Sequence, residues 1–518
     1  RSMEYTDVDQ TNVVFRHLND LIGQFPYNSP DVFNFYKYQY ELPQKHLGPN
    51  AAPTLYSPEL QLLTPPNLVS YLNGMASVIK FGVSDLCADT QGIGIHVHFT
   101  EGPDRKTLCP QGHLMYAGKA TEEQTLEELN ILLTGGRLSD SAKSIVKLAY
   151  DEAQAGHELK AAQFAAAMTA EFNTVGPPLA TPATRQPIQN AVGSGGKPYK
   201  ALVLIYLTGG ADSWNLLVPQ GCDLYQEYKD VRKDLALEPH DLLGVTTTGQ
   251  VCSQYGIHNS LSFAKGLYDV GEAAWVTNIG NLPAPTTKDG FMSGTDMRCR
   301  NMFAHHDQQV GGQTLKCQEL GTASMGVGGR MADKLAQGSQ QFSTTSVSLA
   351  GSAVWSEGFN THREVVDSRG SVTFSAYEEW RHAISNITAV RHGNVYAECY
   401  TDALLNHVEL SQRMSRVFDN QALKTNYPIS SNLDREFSQV AKLIGARVDR
   451  QVERDFFFLH LPGWDHHGNM KAEFAALLST LNAALQGFVA ELKADNVWSS
   501  VVVTMQSEFG RTLDSNGG

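Results

Sequence analysis

The run Lys200-Ala201-Leu202-Val203-Leu204-Ile205-Tyr206-Leu207 is apolar almost without interruption and stops at Thr208-Gly209-Gly210. An alternating strand keeps one wet face. An unbroken apolar strand keeps none, so it belongs inside a sheet covered on both sides. Similar runs occur at Ala274 to Thr277, Asp455 to Leu461 and Ser500 to Met505, and helical patterns lie between them, notably Met470 to Asp495. This predicts an α/β region built on an open, doubly wound parallel sheet with helices on both faces. Chemistry in such sheets collects where strands end and the following loops begin.

Upstream the pattern changes. Asn12 to Gly23 and Pro66 to Phe81 read as amphipathic helices, and Asp140 to Phe172 is rich in Ala, Leu and charged residues. Only Gly92 to Phe99 alternates with the period of a strand. Pro177-Pro178, Pro182 and Gly193-Ser194-Gly195-Gly196-Lys197-Pro198 sustain neither helix nor ladder. The predicted organisation is a mostly helical domain over 1–174, a linker over 175–199 and the α/β domain over 200–518. A chain of 518 residues exceeds one ordinary core, in keeping with that division.

Charge and hydropathy narrow the partners. Fifty-four acidic residues against 40 basic ones leave a formal charge of -14 with no basic run, so nucleic acid is not an expected partner. The unbroken apolar runs are strand-length, short of the roughly 20 residues that span a bilayer, so no membrane span is expected. A start at Arg1 without an initiator Met predicts a processed or truncated amino terminus. Seven cysteines form plausible local pairs with one left over and no CxxC, which favours the disulfides of an exported protein over seven buried thiols. The sequon Asn386-Ile387-Thr388 is compatible with export.

Four polar clusters follow or lie between the strand runs. Gly209-Gly210-Ala211-Asp212-Ser213-Trp214-Asn215 offers the Asp212 carboxylate after a glycine turn. By itself, such an Asp reads better as a turn former or helix cap. Gly463-Trp464-Asp465-His466-His467-Gly468-Asn469 places a carboxylate and two imidazoles together, oxygen and nitrogen donors suited to zinc or a similar divalent ion. Ser507-Glu508-Phe509-Gly510-Arg511-Thr512 adds the Glu508 carboxylate and the Arg511 guanidinium, which is able to grip an oxyanion or simply to pair with Glu508. Asn301-Met302-Phe303-Ala304-His305-His306-Asp307-Gln308-Gln309 adds a further imidazole pair and a carboxylate, and a helix amino terminus there would offer free N–H groups to an anion. The bland alternative in each case is a solvated loop or an ordinary ion pair. Convergence of several clusters on strand ends favours a site.

The stretches Tyr206 to Pro219, Gly256-Ile257-His258-Asn259-Ser260-Leu261, Gly326-Val327-Gly328-Gly329-Arg330, Gly463 to Asn469 and Ser507 to Thr512 resemble, in order, the motifs of the family called domain of unknown function 1501. That family is allied to the alkaline phosphatase and sulfatase superfamily. Phe33-Asn34-Phe35-Tyr36 and Ser57-Pro58-Glu59-Leu60-Gln61-Leu62-Leu63 resemble the carboxyl-terminal part of the helical domain of unknown function 1800. The resemblance implies an alkaline phosphatase-like sheet and hydrolysis of a phosphate or sulfate ester, with one or two divalent ions of zinc, calcium, magnesium or manganese as cofactor. Carried over by position, Asp212, Asp465, His467 and Glu508 are the metal-ligand candidates. Arg511, His305 and Asn215 fall near substrate.

Two departures bear on activity. The resemblance places a Ser where this chain has Ala304, so Ser293 or Thr295 takes its role or the activity is lost. The family pattern also runs on past Thr512 to a Gly-rich segment and an Asp-His pair, whereas this sequence stops at Asn516-Gly517-Gly518, so at least one ligand is expected to be missing. Two functions therefore stand side by side: a metal-dependent hydrolase, and an exported structural or binding protein that keeps the hydrolase fold. A nucleophile-elbow serine hydrolase is excluded because Ala323-Ser324-Met325-Gly326 lacks the first glycine in register. Neither a G-x-G-x-x-G nor a P-loop follows a strand to support a nucleotide.

Overall fold

A computed structural model describes residues 57–81, 116–185, 196–299, 301–317, 325–361, 363–368, 370 and 373–514. The readings at Asn12 to Gly23, Phe33 to Tyr36 and Gly92 to Phe99, and Cys87 and Cys109, lie outside them. The chain divides into two compact units, 1–191 with 370–416, and 192–369 with 417–518. Residues 370–416, which sequence reading assigned to the second domain, therefore pack with the first unit.

The first unit is mostly helical. Its helices include Pro65–Phe81, Glu122–Thr134, Asp140–Asp151, Glu158–Met168 and Tyr377–Ala389. The long Asp140 to Phe172 pattern is thus cut into separate helices. Thr121 and Ser139 cap two of them by accepting from Gln124 N and Ala142 N. Leu68, Val69, Leu72, Phe164, Met168 and Leu404 bury one core, and Leu129, Val146, Ala162 and Ala166 a second. Within the predicted linker, Ala180–Thr184 forms a strand antiparallel to Val390–His392. Pro182 is tolerated there because the strand has a partner on one side only. The sequon lies in the helix Tyr377–Ala389 with Ile387 and Thr388 buried, so it does not present the surface loop expected of an acceptor.

The second unit is mixed α/β, and its elements are numbered here in chain order. They are β1 (Lys200–Thr208), β2 (Leu217–Gln220), α1 (Asp223–Arg232), β3 (Leu242–Thr246), β4 (Gln254–His258), α2 (Ser262–Asp269), α3 (Lys288–Ser293), α4 (His305–Thr314), α5 (Val327–Gln337), β5 (Thr344–Ser348), β6 (Arg363–Val365), α6 (Asn432–Gly445), β7 (Arg454–Pro462), α7 (Met470–Ala494) and β8 (Val501–Ser507). Five strands form one sheet in the order β8-β1-β7-β5-β6, parallel throughout, and β2-β4-β3 form a small antiparallel sheet.

The apolar runs of β1 and β7 sit centrally, as their composition demands, whereas the run that became β8 is an edge strand with one open face, where Val502 is exposed. Leu204, Tyr206, Phe456 and Phe458 face Ala332 of α5 and Trp355, while Val203, Ile205, Phe457 and Leu459, pointing to the other face, are as deeply buried. Two strand readings need correction. Ala274 to Thr277 is not a strand; it joins no sheet, and Val276 is exposed. In its place β5, Thr344-Thr345-Ser346-Val347-Ser348, pairs with β7. Its serines hid it from an apolar-run criterion, although Ser346 and Ser348 are fully buried. Helix α7 is long and apolar enough to cross a membrane by length and composition, although no unbroken apolar run marks it and no span was expected. In this fold it buries Phe474, Leu478, Leu481, Phe488 and Leu492.

Candidate functional site

Strands β8, β1 and β7 are neighbours, with Leu207 opposite Ser507 and Thr208 opposite Pro462. The three loops singled out in the sequence therefore leave the same edge of the sheet side by side. The glycine pair after β1 makes this approach possible. Gly209 (φ +124) lies so close to the chain at Trp464 and Asp465 that a Cβ would strike their backbone, and at Gly210 (φ +79) a Cβ would strike the Phe509 ring.

Glu508 is buried at the centre. One of its carboxylate oxygens accepts from Gly209 N at 2.8 Å and from Gln309 Nε2 at 3.3 Å, and lies 3.1 Å from His305 Nδ1. His305 is the first residue of α4, and its Nε2 faces Asp465 Oδ1 at 3.5 Å. The same Asp465 oxygen meets His467 Nε2 at 2.9 Å and the Arg511 guanidinium. Partial burial pulls the Asp465 carboxyl upward, but Arg511, His305 and His467 outweigh it and hold its pKa below the ordinary aspartate value. Phe509 backs the His305 ring at 5.1 Å between centroids.

Arg511 is committed to the protein as well. Its Nε donates to Gly210 O at 2.8 Å and its Nη2 to Gly209 O at 2.6 Å, so it ties the β8 loop to the β1 loop. Trp214 Nε1 completes the tie by donating to Arg511 O at 2.7 Å. An oxyanion clamp would have to be a second role for a side chain that already has a structural one.

Asp212 comes off the same edge but is engaged elsewhere. Its carboxylate forms an ion pair with Arg232 of α1, both side chains 1% exposed, and accepts from Trp214 N at 3.3 Å. Burial pushes its pKa up, opposed chiefly by the Arg232 charge. Asn215 is held by Leu235 O and by the Tyr228 hydroxyl, so it builds the loop. Ser293 and Thr295 share a 3.0 Å contact, and their remaining hydrogen bonds go to Asp289 and Gly290 within their own turn. His466 is a buried core ring set edge-on to Trp464 and Phe474, and burial lowers its pKa; of the two adjacent histidines only His467 reaches outward.

Gln309 and Arg232 were not singled out from sequence. Gln309 carried a usable signal, one helical turn after His305 on the same face. Arg232 carried none, since nothing local marks its partner.

Among the described residues no group of three His, Cys, Asp or Glu side chains stands ready to hold a metal ion. The donors are instead closed on one another and on Arg511. By donor type alone, Asp465, His467 and His305 would suit a divalent ion. The 2.9 and 3.5 Å from Asp465 Oδ1 to the two imidazole nitrogens bracket the roughly 3.3 Å that separates neighbouring ligands on a tetrahedral ion with bonds of about 2.0–2.1 Å. Glu508, behind His305 Nδ1, then stands where a carboxylate orients a ligating imidazole rather than ligating directly.

No curated protein and no solved structure matches the chain. Residues 355–518, which hold Asp465, His467, Glu508 and Arg511, match the model of the family described as Protein of unknown function (DUF1501).

Proposed function

We propose that the strand-end cluster is the centre of a metal-dependent hydrolase of phosphate or sulfate esters, on an alkaline phosphatase-like sheet. The observation that carries this reading is the linked set Glu508–His305–Asp465–His467, drawn from the loops after β7 and β8 and the start of α4. Asp465, His467 and His305 hold the divalent ion. When bound, it supplies Lewis acidity toward an ester oxygen. Glu508, by accepting a hydrogen bond from His305 Nδ1–H, would leave the Nε2 lone pair free for the ion. Arg511 keeps the loops after β1 and β8 together. With Ser293 and Thr295 bonded inside their own turn, water is the nucleophile in this reading. The helical unit is taken as the carboxyl-terminal part of a domain of unknown function 1800, and the two disulfides support an exported protein.

A second reading, an exported non-catalytic structural or binding protein, draws on the closure of the same cluster. Asp212 is neutralised by Arg232, and Asp465 already carries Arg511. Metal analysis of the purified chain, with turnover of aryl phosphate and aryl sulfate in parent and Asp465→Asn chains, separates the two. The hydrolase reading expects stoichiometric metal and turnover that both fall in the variant. Metal-free, inactive protein overturns it in favour of the second.

A further inference from the structure

Phe509 backs the strand-end cluster from within. Its ring lies 5.1 Å from the His305 ring and 5.5 Å from the Arg511 guanidinium carbon. Asp465, which both of those side chains meet through one carboxylate oxygen, has a side chain 43% exposed and opens to solvent.

Two aromatic side chains stand at this opening, one behind each partner of Asp465. Trp214 is behind Arg511. Its Nε1 donates to Arg511 O at 2.7 Å and its backbone N to the Asp212 carboxylate at 3.3 Å, so the residue is fixed in place, yet it is 42% exposed. Phe303 is behind His305. Ala304 between them is extended (φ -117, ψ 118), and residues on either side of an extended one project the same way, so Phe303 shares the side of His305 within about 7 Å of chain. Phe303 is 94% exposed.

A single apolar residue in solvent carries no meaning on a protein surface. These two differ because they come from separate loops, after β1 and before α4, and flank the same carboxylate. With both N–H groups of Trp214 already satisfied, its indole has only an apolar face left to offer. A ring held in this way supplies contact area at little cost in conformational freedom.

We propose that Trp214 and Phe303 are specificity-determining residues of the strand-end centre and select esters whose organic group is aromatic. This deepens the hydrolase reading and rests on it for the anionic end: the phosphate or sulfate lies at the cluster, and the aryl group lies against the exposed rings in an offset or edge-on arrangement. The preference therefore comes from the organic end, where water leaves apolar surface, and not from the anion that all such esters share.

The test compares two non-hydrolysable probes with one anionic head, phenylphosphonate and methylphosphonate, titrated calorimetrically into the full chain with zinc present. The parent should bind the phenyl probe more tightly by about tenfold or more, and Phe303→Ala and Trp214→Ala should each lower that ratio by about threefold to tenfold. Trp214→Phe keeps a ring but gives up the bond to Arg511 O, so it should retain most of the preference, which a purely structural role for Trp214 does not allow. Equal binding of the two probes by the parent, binding of neither, an unchanged ratio in Phe303→Ala, or loss of both probes alike in the variants overturns the proposal. Turnover judges the hydrolase reading separately. Equal kcat/KM for phenyl and methyl phosphate keeps that reading and sinks this one, whereas an aryl preference in binding without turnover sinks that reading alone.

Discussion

His305 Nδ1 and Glu508 Oε1 meet at 3.1 Å across a sequence separation of 203 residues. Glu508 also accepts from the Gly209 backbone, so removing its carboxylate leaves a buried N–H without its acceptor. Glu508→Ala is expected to cost about 1–3 kcal/mol in urea unfolding, with Glu508→Gln retaining more of it because an amide oxygen can still accept.

The Asp212–Arg232 pair is buried on both sides, so each charge depends on the other. Arg232→Ala should destabilise by about 3–5 kcal/mol, whereas joint replacement of both residues by apolar ones of similar volume should cost far less. A double-mutant cycle in denaturant reads the difference. Equal, additive losses would show that the pair is not coupled.

Glu436 gives the protein a pH dependence. Burial, assisted by the charge of Asp367, raises its pKa from 4.5 to about 8, against the pull of His460 backbone and the Asn432 amide. The folded chain thus keeps a proton that the unfolded chain releases near its ordinary pKa. This group's contribution to stability is full below about pH 4.5, declines as pH rises, and levels off above about pH 8. The whole decline is on the order of 5 kcal/mol at most, at about 1.4 kcal/mol per pH unit. Glu436→Gln should flatten the profile of unfolding free energy between those limits.

Gly209 tolerates no side chain, both for its φ of +124 and for the backbone of Trp464 and Asp465 that a Cβ would strike. Gly209→Ala should therefore separate the loops after β1 and β7 and lower the melting temperature; a loss of about 1–3 kcal/mol is expected from strain alone. An unchanged melting temperature would refute the close approach.

The two disulfides among the described residues close sequence separations of 30 and 18 residues. Chain entropy predicts about 3 kcal/mol for each. Comparison of unfolding midpoints with and without reductant, in chains retaining one bond or the other, measures the two contributions separately.

What could be read locally was the material of the sheet and of its loops. The apolar runs that became β1 and β7 declared themselves because a strand buried on both faces is mostly apolar, the run that became β8 was equally legible although it forms an edge strand with one open face, and helix α7 declared itself by its periodicity. Asp465, His467, Glu508 and His305 were legible because each stands directly after such a strand or at a predicted helix start. Strand β5 was not, because buried serines look polar in sequence. Nor was the return of residues 370–416 to the first unit, since no composition change marks that crossing.

Which strands are neighbours, and so which carboxylate meets which partner, was decided by tertiary structure alone. Asp212 and Asp465 look alike in sequence, each following a strand and a glycine turn. One is matched to a buried guanidinium from α1, and the other is left at the rim with two imidazoles and Arg511. The physical reason is that ion pairing depends on distance and burial, which strand order and helix packing set. Residue identity along the chain determined that there would be carboxylates and imidazoles at the strand ends; packing determined their partners.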